Sequence, residues 1–102
     1  MKTYNKLVRD KIPDIIAAEG SKYEIEILDD EKFRLELNRK LLEEVNEYLE
    51  DNNVYELADI VEVVYGILNS MGISISEFEE IRKSKLEKRG GFTKKIYLKR
   101  SE

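Results

Sequence analysis

Residues 30–70 read DEKFRLELNRKLLEEVNEYLEDNNVYELADIVEVVYGILNS, and this stretch decides the fold. From about residue 30 to 51, apolar residues recur at helical spacing and form one stripe. These residues are Phe33, Leu37, Leu41, Val45, Tyr48 and Leu49. Asn52 and Asn53 then break the pattern, and from about residue 54 to 70 apolar residues cover well over half of a second helix. The stretch therefore predicts an antiparallel helical hairpin whose second helix is central to the core.

Two further helices are expected on either side of this hairpin. Pro13 suits the first turn of a short helix, and Gly20 can end that helix in a left-handed conformation. Residues 76–79, SEFE, match a capping box and predict another helix that stops at Gly90 and Gly91.

A short strand is predicted at residues 23–28, and two other places would allow one. The β-branched run at residues 61–64 would by itself allow a strand. Apolar residues alternate along residues 23–28, and the apolar residues of 92–98 could form a second strand that pairs with the first. The expected fold class is mainly α, an antiparallel hairpin with additional short helices and room for two short terminal strands.

The amino-acid composition limits the kinds of catalysis and metal binding that the protein can carry out. A chain of 102 residues fits one domain, and its 39% charged and 41% hydrophobic residues allow one core under a highly charged surface. It contains no cysteine and no histidine, which excludes disulfides, Ser-His and Cys-His catalysis, and the usual zinc, copper and haem ligands. Carboxylates remain, and their oxygens suit hard cations such as Mg²⁺, Mn²⁺ and Ca²⁺.

The sequence also bears on location. Its first residues lack the apolar region of a signal peptide, and no run approaches the roughly 18 apolar residues that a membrane span needs. Because cysteine is absent as well, we expect a cytoplasmic protein without a membrane partner.

Charge is unevenly distributed along the chain. The net charge is −4, yet Arg82 to Arg100 holds nine basic residues against Glu87 alone, and Lys2 to Lys11 holds four against Asp10. Residues 12–81 carry the other five basic residues and nineteen acidic ones. Acidic charge is therefore concentrated in the hairpin and basic charge at both ends.

Four carboxylates of the hairpin are expected to meet. On a helical wheel Glu44 falls inside the apolar stripe and Glu47 lies at its edge, while Glu56 and Asp59 occupy the narrow polar strip of the second helix. Folding the helices back at the asparagine pair places Glu47 opposite Glu56 and Glu44 opposite Asp59. Four converging negative charges repel strongly unless cations lie between them, which predicts a metal site. The alternative is a solvated acidic face, since such spacings arise easily among 22 acidic residues.

Four blocks of the sequence resemble one protein family. Residues 43–47, EEVNE, and 56–59, ELAD, are similar to the EExxE and ExxD motifs of the all-α NTP pyrophosphohydrolases, the MazG-like proteins. Residues 4–13, YNKLVRDKIP, and 88–92, KRGGF, resemble a small branch of that family with phosphoribosyl-ATP pyrophosphohydrolase-like members. The resemblance touches most of the chain and implies a single domain of this type.

The resemblance implies an enzyme that hydrolyses a nucleoside triphosphate between its α and β phosphates, leaving a monophosphate and pyrophosphate. It makes Glu44, Glu47, Glu56 and Asp59 the Mg²⁺ ligands, with Mn²⁺ as a substitute. Glu44 and Glu47 are the candidates for the catalytic base. Glu43 points away from the stripe and is expected only to support the site.

Phosphate oxygens need cationic donors, and the blocks that resemble the family supply them. The candidate substrate-binding residues are Lys6, Arg9, Lys11, Lys88 and Arg89. Each has the simpler interpretation of solubilising charge. Only eight residues separate the two carboxylate motifs, Tyr48 to Tyr55, so a substrate wall built by a longer insertion would be missing.

The expected protein partner is a further copy of the same chain. We expect a homodimer or homotetramer, because the apolar hairpin exceeds what a short additional helix covers and MazG-like proteins commonly pair.

The second hypothesis for the function is a module that binds nucleic acid through the basic C-terminal tail. The acidic middle of the chain argues against this hypothesis. A third is a helical interaction protein, which would leave Glu44 exposed to solvent. The sequence does not indicate which base or sugar the substrate carries.

Overall fold

The computed structural model describes residues 1–102 and contains four α-helices and no strand. The helices are α1 Ile12–Ala18, α2 Asp30–Asp51, α3 Val54–Ser70 and α4 Ile75–Arg89. Helices α2 and α3 make the most extensive contact and form the expected hairpin, and α4 packs on α3. The predicted mainly α fold is confirmed.

The turn of the hairpin is built by two asparagines in different roles. Asn52 ends α2 in the left-handed conformation, with φ of 51°, and its N–H donates to the Tyr48 carbonyl at 2.7 Å. The Asn53 side chain then accepts a hydrogen bond from the Glu56 N–H at 3.1 Å and caps the start of α3. A polar pair that closes one helix and opens the next reverses the chain with no intervening loop.

The remaining helix ends follow the same chemistry. Pro13 lies in the first turn of α1, as predicted. The cap of helix α4 is Ser74, two residues before the predicted cap Ser76, and its side chain accepts from the Glu77 N–H at 3.1 Å. Ser74 and Ser76 both stand three residues before a glutamate, so the motif alone does not distinguish them. Helix α4 ends before Gly90, as expected.

Neither terminal strand forms. Residues 21–29 and the chain beyond Gly91 contain no strand, and no backbone hydrogen bond joins the two segments. Ile27 is 89% exposed, which shows that the alternating apolar residues find no buried face. A two-stranded ribbon is at best marginally stable unless it packs against another element.

Few side chains are buried. Leu37, Val63 and Leu68 are the buried apolar residues, and the only other buried residue is Glu44. Gly66 lets the helices approach closely, since a Cβ there would lie 3.1 Å from Leu37 Cδ2.

None of the four helices alone has the length and apolar composition of a membrane span. Helices α3 and α4 reach that length and composition only as a pair, and a bend of 113° separates them.

Candidate metal centre

Glu44 lies in the buried seam between α2 and α3. It is 7% exposed, in the same range as the core residue Leu37 at 4%. Its Oε1 lies 3.4 Å from the Lys40 Nζ one turn earlier, and its Oε2 is buried with no hydrogen-bond partner. A buried carboxylate oxygen without a partner is costly, so this position calls for a ligand or a proton.

Two carboxylates of α3 meet Glu44 across the seam. One oxygen each from Glu44, Glu56 and Asp59 lies within 4.8 Å of the others. Glu56 Oε2 is also buried without a hydrogen-bond partner. Because the Glu56 N–H is the one that Asn53 caps, the turn of the hairpin fixes the start of the helix that carries both α3 carboxylates.

Mutual repulsion and burial perturb these groups. Burial raises the pKa of Glu44, the neighbouring carboxylates of Glu47 and Asp59 raise it further, and Lys40 opposes them. Burial likewise raises the pKa of Glu56, and the neighbouring carboxylates of Asp51, Asp59 and Glu44 add to the effect. Both groups therefore hold a proton more readily than a free glutamate does.

The donor set fits a hard divalent cation. Glu44, Glu56 and Asp59 supply oxygen ligands only, which is what Mg²⁺ and Mn²⁺ prefer. Two of these residues carry a buried oxygen that no protein group satisfies. A cation held by these three side chains would neutralise the repulsion and supply the missing partner.

The predicted ligand Glu47 lies at the edge of this group. It is half-buried and close enough to Glu44 to raise the pKa of that residue, but it is outside the set of three converging carboxylates. Glu44 therefore meets both Glu56 and Asp59, instead of the two separate facing pairs expected from the sequence.

Glu43 lies beside the site in an ion-pair network. Its Oε1 is 3.1 Å from Lys6 Nζ and 3.4 Å from Lys40 Nζ. Burial raises the pKa of Glu43, but the hydrogen bond from Lys6 and the charges of both lysines outweigh burial and lower it. Glu43 thus stays charged and paired with protein cations.

The predicted basic residues divide into two groups. Lys6 pairs with Glu43, and the Arg9 Nη2 donates to Asp59 Oδ1 at 2.7 Å, so these two lie at the mouth of the carboxylate cluster. Lys11, Lys88 and Arg89 make no ion pair. Arg89 instead lines a separate surface concavity at the end of α4.

Sequence reasoning missed two neighbours of the site, Lys40 and Asp51. Lys40 stands four residues before Glu44, a spacing that places ion-pairing side chains on one helix face. Asp51 lies near Glu56 across the turn, and its negative charge adds to the effect of burial in raising the pKa of Glu56. The helical spacing could have identified Lys40, whereas the contact of Asp51 depends on the geometry of the turn.

The chain matches no family model, no curated protein and no solved structure.

Proposed function

We propose that this protein is a Mg²⁺-dependent nucleoside triphosphate pyrophosphohydrolase of the MazG-like type, acting in the cytoplasm on nucleotide pools. The observation that carries the proposal is the convergence of Glu44, Glu56 and Asp59 within 4.8 Å, with two buried oxygens left unpaired. Their order and spacing match the motifs quoted from the sequence. The third hypothesis, an interaction protein, required an exposed Glu44, and this residue is buried.

The chain's own residues would divide the chemistry as follows. Glu44, Glu56 and Asp59 hold Mg²⁺ or Mn²⁺, which when bound neutralises phosphate charge and acidifies a water molecule. Glu44 or Glu47 accepts the proton of the attacking water. The water oxygen bonds to the α or the β phosphorus, the bond from that phosphorus to the bridging oxygen breaks, and the products are a monophosphate and pyrophosphate.

Cations at the mouth of the site suit the polyphosphate. Arg9 is ion-paired with Asp59 of the cluster and Lys6 with the adjacent Glu43, and both remain about half exposed, so they lie where the acidic cluster opens to solvent. A guanidinium there matches phosphate oxygens in a two-pronged geometry. Cleavage between the α and β phosphates is what the family resemblance implies. The resemblance also implies that the substrate is a nucleotide, either standard or modified.

A product assay tests the reaction. The protein is incubated with Mg²⁺ and a panel of canonical and damaged NTPs and dNTPs, together with phosphoribosyl-ATP, and pyrophosphate is measured against orthophosphate. We expect pyrophosphate and a monophosphate from at least one substrate. Orthophosphate alone would reject cleavage between the α and β phosphates, and no turnover across the panel would reject the enzyme.

Site variants test the residues. Asp59→Asn and Glu47→Gln should abolish turnover while far-UV circular dichroism shows that the helices remain folded. Glu62→Gln is the matched control, because Glu62 is an exposed glutamate of the same helix α3 with no ion pair. Equal activity in Asp59→Asn and Glu62→Gln would remove the cluster from the mechanism.

A second candidate function rests on the C-terminal tail. Phe92 and Tyr97 are 97% and 86% exposed, and they stand among basic residues in a segment without helix or strand. Exposed aromatic rings among lysines are suited to stacking on single-stranded nucleic acid. This function predicts binding that weakens steeply with salt and needs no Mg²⁺. Fluorescence anisotropy with a labelled oligonucleotide, with and without EDTA, distinguishes the two functions.

A further inference from the structure

The segment before α1, residues 1–11, reaches both helices of the hairpin through side chains alone. We call it the N-terminal strap. Lys6 pairs with Glu43 of α2 at 3.1 Å, and Arg9 pairs with Asp59 of α3 at 2.7 Å. These two ion pairs join residues 37 and 50 positions apart, whereas all the other ion pairs are local pairs within a helix. The strap therefore lies across the mouth of the carboxylate cluster.

Arg9 is ion-paired with a carboxylate that belongs to the cluster itself. Asp59 is one of the three converging acids, and the guanidinium holds its Oδ1. Lys6, by contrast, pairs with Glu43, which is outside the three. A positive charge in direct contact with a metal ligand weakens the attraction of that ligand for a second cation. Arg9 and a divalent ion thus compete for Asp59.

We propose that Arg9 and a divalent cation compete for Asp59, so that a binding cation displaces Arg9 from this carboxylate and frees it to engage the phosphates that arrive with the cation. This inference rests on the proposed function, because it takes Glu44, Glu56 and Asp59 as the metal ligands. It adds an order of events: metal loading releases the Arg9 side chain, which then becomes a phosphate-binding group.

The strap is attached in a way that permits such a release. No backbone hydrogen bond joins residues 1–8 to any other part of the chain. The Arg9 side chain is 54% exposed, and ion pairs of this exposure are weak. The Ile12 N–H donates to the Arg9 carbonyl at 3.1 Å, so the backbone of Arg9 stays fixed to the start of α1 while its side chain moves.

A metal titration without nucleotide tests the competition. Free Mn²⁺ is measured by electron paramagnetic resonance as it is added to the wild type, Arg9→Gln and Arg39→Gln. Arg39 is the matched control, since it forms an exposed ion pair with Glu36 at 2.8 Å on α2 and its loss changes net charge equally. We expect Arg9→Gln to bind Mn²⁺ about two- to fivefold more tightly, the range that removing one exposed ion pair allows. Arg39→Gln should match the wild type.

The contrary outcomes are distinct. Unchanged or weaker Mn²⁺ binding in Arg9→Gln, with normal binding in the wild type, would overturn the role of Arg9 and leave the metal site standing. Absence of Mn²⁺ binding in all three proteins would overturn the metal site and this inference with it.

Nuclear magnetic resonance on the wild type provides a second readout that needs no variant. The Nε–Hε resonance of the Arg9 guanidinium is followed during a Mg²⁺ titration. We expect it to shift toward the position of a solvent-exposed arginine as the site fills, because its partner is lost. A resonance that remains unchanged at Mg²⁺ saturation would show that Arg9 stays on Asp59, and would overturn the proposal.

Discussion

At Glu44 two physical demands conflict. Packing places the side chain in the seam between two helices, and one of its oxygens has no partner there. Lys40 offers partial compensation at 3.4 Å but is shared with Glu43. A protein selected for stability alone would place an apolar residue here, so the retained carboxylate points to a function for its charge.

Replacing Glu44 by its neutral isostere should separate stability from metal binding. Glu44→Gln removes a charge that burial and three neighbouring carboxylates oppose, so we expect the free energy of unfolding without metal to rise by about 1 kcal/mol. The stabilisation that Mg²⁺ gives the wild type should vanish in this variant. Urea unfolding at pH 7, with EDTA or with excess Mg²⁺, measures both effects. A destabilised variant that still responds to Mg²⁺ would contradict the account.

The pKa of Glu44 predicts how this difference depends on pH. Its folded-state pKa lies above the ordinary value of 4.5, so the folded protein binds the proton more tightly than the unfolded chain does. The stability gained from protonation is present in full below that ordinary value, and it is lost as the pH rises through the folded-state pKa. Without metal, the advantage of Glu44→Gln should therefore disappear toward pH 4. Unfolding curves at several pH values check this, and an advantage that grows as the pH falls would contradict it.

Part of the site, the position of Glu44, could be predicted from the sequence. Helical periodicity alone placed Glu44 among apolar residues, because the angle of a side chain around a helix is set by its position number. Helical periodicity could not predict the contacts of Lys6 and Arg9, because these residues lie in a segment without periodicity. Their distances depend on how residues 1–11 cross the hairpin.

Among the elements, the turn between α2 and α3 determines whether the carboxylates meet. Asn53 caps α3 through the Glu56 N–H, which links the cap directly to a residue of the site. Polar residues at this break signalled the turn in the sequence. The start of α4 was less determined, because Ser74 and Ser76 satisfy the same capping pattern, and the structure has Ser74 as the cap.

Removing the cap should loosen the turn. Asn53→Ala deletes the side chain that satisfies the Glu56 N–H, and we expect the free energy of unfolding to fall by about 1 kcal/mol. Asn38→Ala is the control, since Asn38 is exposed within α2 and alanine favours helix interiors, so its effect should be neutral or slightly stabilising. Chemical denaturation measures both variants, and an equal loss in the two would mean that the cap contributes nothing.

The short strands illustrate a limit of local patterns. Alternation at residues 23–28 satisfies the sequence signature of a strand, but a strand also needs a partner for its backbone groups. The only candidate partner is the tail, which lies in coil with Phe92 97% exposed. Pairing of distant segments is a property of the whole chain, and a local pattern does not contain it.

The whole molecule is too extended for its size. Its radius of gyration is 17.9 Å, whereas a compact domain of this length has about 13 Å. Only three apolar residues are buried, and an apolar row on α3 is open to solvent. This row consists of Val54, Leu57 and Val61, at spacings of three and four residues. Such a row is suited to packing against another helix.

We therefore expect a homodimer or homotetramer in solution. Sedimentation velocity over a range of concentrations should show a species of at least twice the chain mass. Leu57→Glu places a charge in the row on α3 and should shift the protein toward monomer, whereas Asn38→Glu on the exposed side of α2 should not. A monomer independent of concentration in the wild type would contradict this expectation.

Anomalous diffraction from crystals grown with Mn²⁺ would reveal whether the carboxylates of two antiparallel helices converge on one divalent cation. We expect an anomalous peak bonded to oxygens of Glu44, Glu56 and Asp59, and no such peak in crystals of Asp59→Asn. A wild-type map with no peak among these three side chains, at a Mn²⁺ concentration that saturates other sites, would contradict it.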